Sequence, residues 1–407
     1  MSAIVNAPKE KVVLAYSGGL DTSVSISWIK QNYNMDVVAV LVDCGQPDSL
    51  DEAYERAIAA GASKAMIIDA REDFVYNYIF PSIKANLKYE KSYPLATALA
   101  RPLIVEKLVE VARKEEAKAV AHGCTAKGND QVRFDVGIRS LNPDLRIIAP
   151  LREWKLSREE EIEYAREHKI PVKVSKKSPY SIDENLWGRS IECGVLEDPW
   201  EEPPEEIYTW TSIRREKNET LILEIEFEKG VPVAINGEKL AGVELIKRLN
   251  QIAGSFGIGR IDMVENRLIG IKSREIYEAP AAVVLIEAHR QLESMVMDRE
   301  LLHYKYLVEE KLAELTYYGL WFTPLRSCIS SFIEKSQEYV TGKVKVKLEY
   351  KAFSVIGRES CYSLYDLKLA TYDKQDIFDP RYSESFIRIW GFPYEILARK
   401  GRMLEER

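Results

Sequence analysis

The sequence has few of the residues that build disulfide frameworks and structural zinc sites. Five cysteines and four histidines occur among 407 residues. The cysteines are scattered singly without a CxxC pair, and the histidines do not have zinc-finger spacing. We therefore expect neither a disulfide framework nor a structural zinc, and a reducing cytoplasm fits this cysteine usage.

Long apolar runs and an excess of positive charge are also missing. No apolar run reaches the length of a membrane span, and no signal-peptide core precedes the first predicted strand. The formal net charge is -7, whereas proteins that coat nucleic acids need clustered lysine and arginine. These absences predict a cytoplasmic protein with no membrane or nucleic-acid partner. A local basic pocket for one nucleotide stays compatible with them.

The first part of the chain shows the pattern of a parallel sheet. Five continuous apolar runs alternate with helical patterns, at residues 12–16, 37–42, 65–68, 119–121 and 147–149. Continuous apolar strands indicate a sheet that helices cover on both faces. We predict an α/β fold with a parallel, doubly wound nucleotide-binding sheet, whose ligands bind beyond the carboxyl ends of its strands.

The second part of the chain has a different pattern. Residues 223–227 and 344–348 alternate apolar with charged side chains, which indicates strands with one wet face. A long helical pattern runs from Ala281 to about Tyr317. Because residues 174–204 contain four prolines and little periodicity, we place a domain boundary near residue 172. A nucleotide-binding domain over residues 1–172 and an α+β domain over residues 173–365 are expected.

The tail, residues 366–407, is rich in aromatic and basic residues but has no helix or strand period sufficient for its own core. Apolar surface of this extent exceeds what monomers usually expose, and aromatic side chains beside arginines are typical of protein interfaces. We predict that the tail binds another protomer. Folding of the tail onto its own subunit stays open as the alternative.

A candidate phosphate loop lies between the first apolar run and the following helix. Two glycines, Gly18 and Gly19, allow the backbone to approach a ligand closely, and a helix start presents free N–H groups to an anion. Asp21 would repel bound phosphates unless a cation such as Mg²⁺ lies between them. No Walker A pattern occurs. The alternative is that Asp21 only caps the helix.

A second polar segment follows the fourth apolar run, at residues 122–133. It carries a hydroxyl, an amide, a carboxylate and a guanidinium, from Thr125, Asn129, Asp130 and Arg133. These groups are complementary to the carboxylate and ammonium of an amino acid. The alternative is a solvated polar turn. We give His122, Cys124 and Lys127 no catalytic role.

These segments resemble known families. The loop over residues 17–23 resembles the pyrophosphate loop of the N-type ATP pyrophosphatases, which cleave ATP between its α and β phosphates. Residues 122–133 resemble the HGxTxKGNDQVRF block of the argininosuccinate synthetases. Further matches to that family lie at residues 92–102, 179–186, 259–277 and 357–360. The resemblance runs in order from residue 11 to about residue 365, so residues 173–365 would form the synthetase domain.

The resemblance implies a ligase that uses ATP and Mg²⁺ to join citrulline to aspartate through citrullyl-adenylate, releasing AMP and pyrophosphate. It also implies a homotetramer. The nucleotide-binding residues would be Ala15, Tyr16, Ser17, Gly18, Gly19, Leu20, Asp21, Thr22, Ser23, Val42 and Gly123. Aspartate would be bound by Thr125, Asn129 and Asp130. Citrulline would be bound by Tyr93, Ala98, Arg133, Ser181, Ser190, Glu265 and Tyr277.

Asp21, as the Mg²⁺ ligand, and Arg133 are the expected catalytic residues. Ala98 stands where some family members have serine, so a hydroxyl contact would be lost there. Two other functions stay open at this point. One is another pyrophosphatase-loop adenylating enzyme, either tRNA-modifying or amide-forming. The other is a non-catalytic nucleotide sensor, which ATP turnover by the purified protein would exclude.

Overall fold

The computed structural model describes residues 9–47, 49–125, 128–154, 158–171 and 179–402. Strands occupy β1 Lys11–Ala15, β2 Asp36–Asp43, β3 Lys64–Asp69, β4 Ala119–Ala121, β5 Arg146–Ile148, β6 Ser181–Asn185, β7 Gly188–Glu192, β8 Leu221–Glu228, β9 Val231–Ile235, β10 Glu238–Lys239, β11 Arg260–Asn266, β12 Lys272–Glu278, β13 Gly342–Glu349 and β14 Ala352–Glu359.

Helices occupy α1 Leu20–Tyr33, α2 Leu50–Ala59, α3 Arg71–Phe74, α4 Phe80–Lys84, α5 Ala96–Lys114, α6 Asp130–Leu141, α7 Pro150–Glu153, α8 Arg158–Glu167, α9 Gly242–Ser255, α10 Pro280–Val296, α11 Arg299–Tyr317, α12 Pro324–Ser336, α13 Leu367–Ala370 and α14 Arg381–Arg399. A π-helical turn, Val75–Ile79, joins α3 to α4.

The first five strands form one parallel sheet in the order β3-β2-β1-β4-β5. Successive residues of β1 belong to different cores, because Val12 and Leu14 pack in one cluster while Val13 packs in another. Both faces of the sheet are therefore covered, as the continuous apolar runs predicted. The strand order reverses at β1, which makes its carboxyl end a topological switch point.

Two antiparallel sheets follow the parallel one. The first has the order β11-β12-β7-β6, and the second has the order β10-β9-β8-β13-β14. In β8 the residues Leu223, Ile225 and Phe227 are buried while their neighbours are more exposed. The expectation of strands with one wet face is confirmed for β8 and for its partner β13.

Three expectations from the sequence are wrong in detail. The single helix expected from Ala281 to Tyr317 is two helices, because Asp298 caps the start of α11 with hydrogen bonds from two backbone N–H groups. The aperiodic stretch after residue 179 contains the hairpin of β6 and β7. The tail, expected to have no helix or strand period sufficient for its own core, contains the 19-residue helix α14, and none of the residues of this helix is buried.

The chain divides into two compact units, Met1–Tyr362 and Ser363–Arg407. The boundary proposed near residue 172 lies at the edge of residues 172–178, outside the described residues. Within the described ranges, no helix combines the length and the apolar character needed to cross a bilayer.

Candidate active site

The loop between β1 and α1 is shaped to approach an anion. Gly18 has φ +80°, and a Cβ there would lie 2.8 Å from the Cβ of Ala53, so only glycine fits. Gly19 is the N-cap of α1 and supplies no side-chain cap, which leaves the first N–H groups of the helix free for a ligand. The Ser23 hydroxyl donates to the Gly19 carbonyl at 2.8 Å and fixes the turn.

Other predicted nucleotide-binding residues surround this loop. Tyr16 and Ser23 share a 2.8 Å hydroxyl hydrogen bond, and the hydroxyls of Ser17 and Thr22 lie 3.2 Å apart. Asp21 lies in the first turn of α1. The remaining members are placed at strand ends or helix starts, namely Ala15, Leu20 and Val42.

Gly123 connects the loop to the second polar segment. A Cβ on Gly123 would lie 2.8 Å from the Cγ2 atom of Thr22, so the turn after β4 rests directly against the start of α1. The buried His122 ring holds this turn, because its Nε2 pairs with Asp135 at 2.8 Å and its Nδ1 accepts from the Cys124 N–H at 3.3 Å. His122 therefore has a packing role here.

Asp130 is held between two arginines. Its Oδ2 atom accepts from Arg101 Nε at 2.9 Å and Nη2 at 2.8 Å, and its Oδ1 atom accepts from Arg133 Nη1 at 2.8 Å. Arg101 also bonds Asp183. Burial alone would raise the pKa of the Asp130 carboxyl, but the two guanidiniums outweigh burial and lower that pKa to about 2. Asp130 is therefore ionised at neutral pH.

Arg133 is held in place by its neighbours, but one of its guanidinium nitrogens has no hydrogen-bond partner among the described residues. Its Nε atom donates to the Tyr317 carbonyl at 2.9 Å, and its guanidinium lies 4.8 Å from the centre of the Tyr317 ring. A Cβ on Gly319, which has φ +74°, would lie 2.8 Å from the Arg133 Cα. Among the described residues, the buried Nη2 atom has no hydrogen-bond partner. This nitrogen is available to an acceptor oxygen of a ligand.

Glu265 accepts hydrogen bonds from two tyrosines. The hydroxyl of Tyr277 donates to it at 2.6 Å, and that of Tyr317 donates at 2.5 Å. Burial raises the pKa of Glu265, and the two phenol hydrogen bonds oppose that rise. The Tyr277 ring stacks on Tyr93 at 3.9 Å, and the Tyr93 hydroxyl accepts from the Thr97 N–H at 3.0 Å.

The antiparallel sheet brings distant residues to one face. Asp183, Ser190 and Tyr277 are direct partners across β6, β7 and β12, so their side chains share a face. Glu265 lies on the same face of β11, as its bond to Tyr277 requires. Ser181 is exposed two residues before Asp183 on β6.

Asn129 joins the same cluster from the start of α6. Its amide Nδ2 donates to the Tyr317 hydroxyl at 2.8 Å, and its Oδ1 accepts from the Leu268 N–H at 2.9 Å. Thr125 is exposed, and its carbonyl accepts from the Gly128 N–H at 3.2 Å. Lys127 lies outside the described residues.

Two family models match the chain. The arginosuccinate synthase N-terminal HUP domain matches residues 11–171, and the arginosuccinate synthase C-terminal domain matches residues 180–397. The second match alone covers more than half of the chain. This chain belongs to the argininosuccinate synthase family.

Similar proteins named argininosuccinate synthase support the assignment over nearly the full length. The protein of Dictyoglomus thermophilum is 61% identical over 393 residues, which is 97% of this chain and 98% of that protein. That of Dehalococcoides mccartyi is 54% identical over 98% of both chains. That of Oceanobacillus iheyensis is 55% identical over 95% of this chain and 93% of that one.

Membership in the family confirms the expected class, an ATP-using ligase of arginine biosynthesis. The two alternatives, a different pyrophosphatase-loop enzyme and a nucleotide sensor, are not favoured. The structure places most expected substrate-binding residues of the family in one connected cluster, namely Tyr93, Asn129, Asp130, Arg133, Ser190, Glu265 and Tyr277. Ala98 is also buried, in α5, but its methyl side chain has no polar group to join the hydrogen bonds of the cluster.

Three residues of this cluster were not assigned a role from the sequence. Arg101 and Asp183 lie inside the segments that resemble the family, yet nothing local indicates that they pair across 82 positions. Tyr317 is the last residue of α11, and its contacts come from three other segments, namely the start of α6, strand β11 and the region of Tyr89. The role of these three residues becomes apparent from the residues that they contact in the fold and not from their neighbours in the sequence.

Proposed function

We propose that this protein condenses L-citrulline with L-aspartate to give argininosuccinate, with ATP converted to AMP and pyrophosphate through citrullyl-adenylate. One observation carries the proposal: the Gly123 turn joins the free start of α1 to a cluster of amino-acid-binding groups around Asp130 and Arg133. A phosphate site beside an amino-acid site is what adenylation of an amino acid needs.

In the first step the ureido oxygen of citrulline attacks the α-phosphorus of ATP. A new oxygen–phosphorus bond forms while the bond to pyrophosphate breaks, so pyrophosphate leaves with its electron pair. The N–H groups at the start of α1 and the hydroxyls of Ser17 and Thr22 bind the departing charge. Tyr16 supports the loop through Ser23.

Mg²⁺ fits the residues that are present. Within the described ranges, no three His, Cys, Asp or Glu side chains cluster closely enough to hold a metal ion. Mg²⁺ is commonly held by one or two carboxylates together with substrate phosphates, and Asp21 in the first turn of α1 supplies one carboxylate. When bound, the ion neutralises charge on the leaving pyrophosphate.

In the second step the amine of aspartate attacks the activated ureido carbon. The ammonium group of aspartate first releases one proton, because only the neutral amine has an electron pair for the attack. A carbon–nitrogen bond then forms, the carbon–oxygen bond to AMP breaks with its electron pair leaving on the AMP phosphate, and the nitrogen releases a second proton, which a phosphate oxygen can accept. Thr125, Asn129 and Asp130 hold aspartate in this proposal. The lowered pKa of Asp130 supports it, because an ionised carboxylate can accept from the ammonium group of the incoming amino acid.

Citrulline occupies the face of the antiparallel sheet. The Nη2 atom of Arg133, which has no partner among the described residues, donates to the citrulline carboxylate. Polar contacts around the remaining atoms come from Ser181, Ser190, Glu265 and Tyr277, with Tyr93 stacked behind Tyr277. No covalent intermediate with the protein is involved. The protein's contributions are position and charge stabilisation.

The products test this reaction. Purified protein with ATP, citrulline and aspartate should give AMP, pyrophosphate and argininosuccinate, and omission of either amino acid should stop argininosuccinate formation. Citrulline labelled with heavy oxygen in the ureido group should transfer that oxygen to AMP, because this oxygen becomes a phosphate oxygen in the first step. Production of ADP and phosphate would rule out the proposal.

We also propose that the protein works in the cytoplasm as a homotetramer, without nucleic-acid or membrane partners. All five cysteines are unpaired, which supports a reducing compartment. The tail supports assembly, since the exposed apolar side chains of α14 are Tyr382, Phe386, Ile387, Ile389, Trp390, Phe392, Tyr394 and Ile396. We keep residues 1–172, 173–365 and 366–407 as the proposed nucleotide-binding domain, synthetase domain and oligomerisation segment.

A further inference from the structure

Tyr317 touches more of the candidate active site than any residue expected from the sequence to bind substrate. It is 1% exposed at the end of α11. Its hydroxyl donates to Glu265 at 2.5 Å and accepts from the Asn129 amide at 2.8 Å. Its carbonyl accepts from Arg133 at 2.9 Å, and its ring lies under the same guanidinium.

We propose that the Tyr317 hydroxyl is a positioning group that ties the aspartate side of the site to the citrulline side. This inference rests on the proposed function, since it assigns Asn129 to aspartate and Glu265 to citrulline. The Tyr317 hydroxyl oxygen is hydrogen-bonded to both residues. Rotation of either the Asn129 or the Glu265 side chain would therefore break its hydrogen bond to this hydroxyl. Tyr317 itself acts through these residues and need not contact substrate.

The hydroxyl fixes which way the Asn129 amide faces. Because Nδ2 donates to Tyr317 while Oδ1 accepts from the Leu268 N–H, a rotation by half a turn would place like groups against each other at both ends. The second amide hydrogen and the second lone pair of Oδ1 therefore keep constant directions toward a substrate. Removal of the hydroxyl leaves only the Leu268 contact to define this orientation.

The same hydroxyl also affects the charge of Glu265. Burial and the neighbouring carboxyl of Glu275 favour the neutral acid, whereas the hydrogen bonds from Tyr277 and Tyr317 and the positive charges of Arg133 and Arg267 favour the carboxylate. Without the hydrogen bond from Tyr317 the Glu265 carboxylate is less stabilised, so the pKa of Glu265 rises and the group ionises at higher pH. The acidic limb of the activity profile for citrulline should consequently move to higher pH when the Tyr317 hydroxyl is absent.

The ring of Tyr317 is anchored independently of its hydroxyl. It stacks on Tyr89 with centroids 3.6 Å apart and planes 5° apart. Tyr89 in turn donates its hydroxyl to the Asn266 carbonyl at 2.8 Å. Phenylalanine at position 317 can therefore keep the stack, the contact with Arg133 and the backbone bond, and lose only the two hydroxyl hydrogen bonds.

Tyr317→Phe in the full chain is the test. We expect the KM values for citrulline and aspartate both to rise about 10-fold or more, the range for loss of a hydrogen bond to a charged group, while the KM for ATP changes less. The acidic limb of kcat/KM for citrulline should move to higher pH. Tyr339→Phe is the matched control, because Tyr339 is 55% exposed, lies outside the candidate site and packs its ring against Tyr362, and it should behave as wild type.

Glu265→Gln, alone and combined with Tyr317→Phe, assigns the pH effect. Glutamine does not ionise, so Tyr317→Phe should produce no further shift in that background. If wild type forms argininosuccinate while Tyr317→Phe leaves both amino-acid KM values and the pH profile unchanged, the positioning role is overturned and the proposed function stands. A change confined to thermal stability also overturns it. If wild type forms no argininosuccinate, the proposed function itself fails.

Discussion

Single residues in the candidate site are held by alternating charge. Asp183, Arg101, Asp130 and Arg133 form a chain in which each inner member is paired on both sides. Buried charges of this kind are tolerated because each has a partner of opposite sign. The end of the chain, the Nη2 atom of Arg133, has no partner among the described residues, so a substrate carboxylate would complete the series.

Arg133→Ala should weaken citrulline binding most. Removal of one member of a buried, hydrogen-bonded charge pair costs about 2–5 kcal/mol, which is roughly 30- to several-thousand-fold in affinity. Asp130 keeps its bonds to Arg101, so aspartate binding should fall less. Calorimetric titration with each substrate measures this. Arg139→Ala is the control on the same helix, because Arg139 is exposed. Citrulline binding that survives while aspartate or ATP binding falls would show the assignment is wrong.

Asp21→Asn should lower turnover sharply while the fold survives. The change removes a carboxylate that would hold Mg²⁺ beside the phosphates, yet an amide keeps nearly the same shape. Pyrophosphate release measured over a series of Mg²⁺ concentrations, with circular dichroism as the check on folding, tests this. Activity equal to wild type at every Mg²⁺ concentration would contradict a Mg²⁺-binding role and leave Asp21 as an acidic residue that favours the first turn of α1.

Some residues of the candidate site could be predicted from the sequence and others could not. Gly18, Gly19 and Asp21 could be read locally, because a short loop between a strand and a helix contains the whole motif. Arg101 and Tyr317 could not, since their partners lie far away along the chain. Their importance depends on which residues the fold brings near, and that information is absent from composition and spacing.

At the scale of helices and strands, the C-terminal end of α11 places Tyr317 in the candidate site. Tyr317 is its last residue, and the helix starts at the Asp298 cap, where the carboxylate accepts from the N–H groups of Glu300 and Leu301 at 3.0 and 3.1 Å. The break before Asp298 lets α10 and α11 run as separate helices. The apolar pattern continues across the break, and for this reason the sequence predicted one helix.

Asp298→Ala should destabilise the protein by about 1 kcal/mol, the usual cost of losing an N-cap. Urea unfolding should show a lower midpoint with an unchanged slope. Ser294→Ala is the neighbouring control, because Ser294 is an exposed helical residue that bonds only the carbonyl of Gln291, and alanine favours the helix. Equal midpoints for wild type and Asp298→Ala would contradict a capping role.

Helices and strands were predicted best from the sequence where their burial gives a simple pattern of apolar residues. The central strands β1, β2 and β4 were found because both of their faces are buried and their residues are continuously apolar. The more exposed edge strands β3 and β5 were found from their short apolar runs. The β6 strand was missed since its polar residues face the site, and it carries little apolar signal. The tail helix α14 was missed because glycine and proline, here Gly391 and Pro393, are unfavourable inside helices, although the structure keeps Pro393 inside the helix.

At the scale of the whole molecule, the feature that bears on assembly is helix α14, which exposes its large apolar side chains. None of its 19 residues is buried. Phe386 and Trp390 stack at 5.6 Å, and apolar residues recur along the helix at spacings of three and four, which gives a continuous stripe. A stripe of this size is typical of a surface that binds protein.

Full-length protein should be a tetramer by light scattering, and a chain ending at Leu364 should lose subunits. Trp390→Glu in the full chain is the matched point variant, because a carboxylate within an apolar interface opposes association. Lys239→Glu is its control, because Lys239 is exposed and lies outside residues 366–407. A monomeric full-length protein would end the proposal, and so would a truncated chain that stays tetrameric and equally stable.

The shared sheet face of Ser190 and Tyr277 limits how this protein can change in length. Side chains alternate between faces with every residue, so one residue inserted in β12 ahead of Tyr277 would turn its phenol away from Glu265. Two inserted residues would restore the face but displace the phenol by about 7 Å, beyond its 2.6 Å hydrogen bond. An insertion or a deletion in this strand would therefore break the contact between Tyr277 and Glu265, as a substitution of the tyrosine itself would.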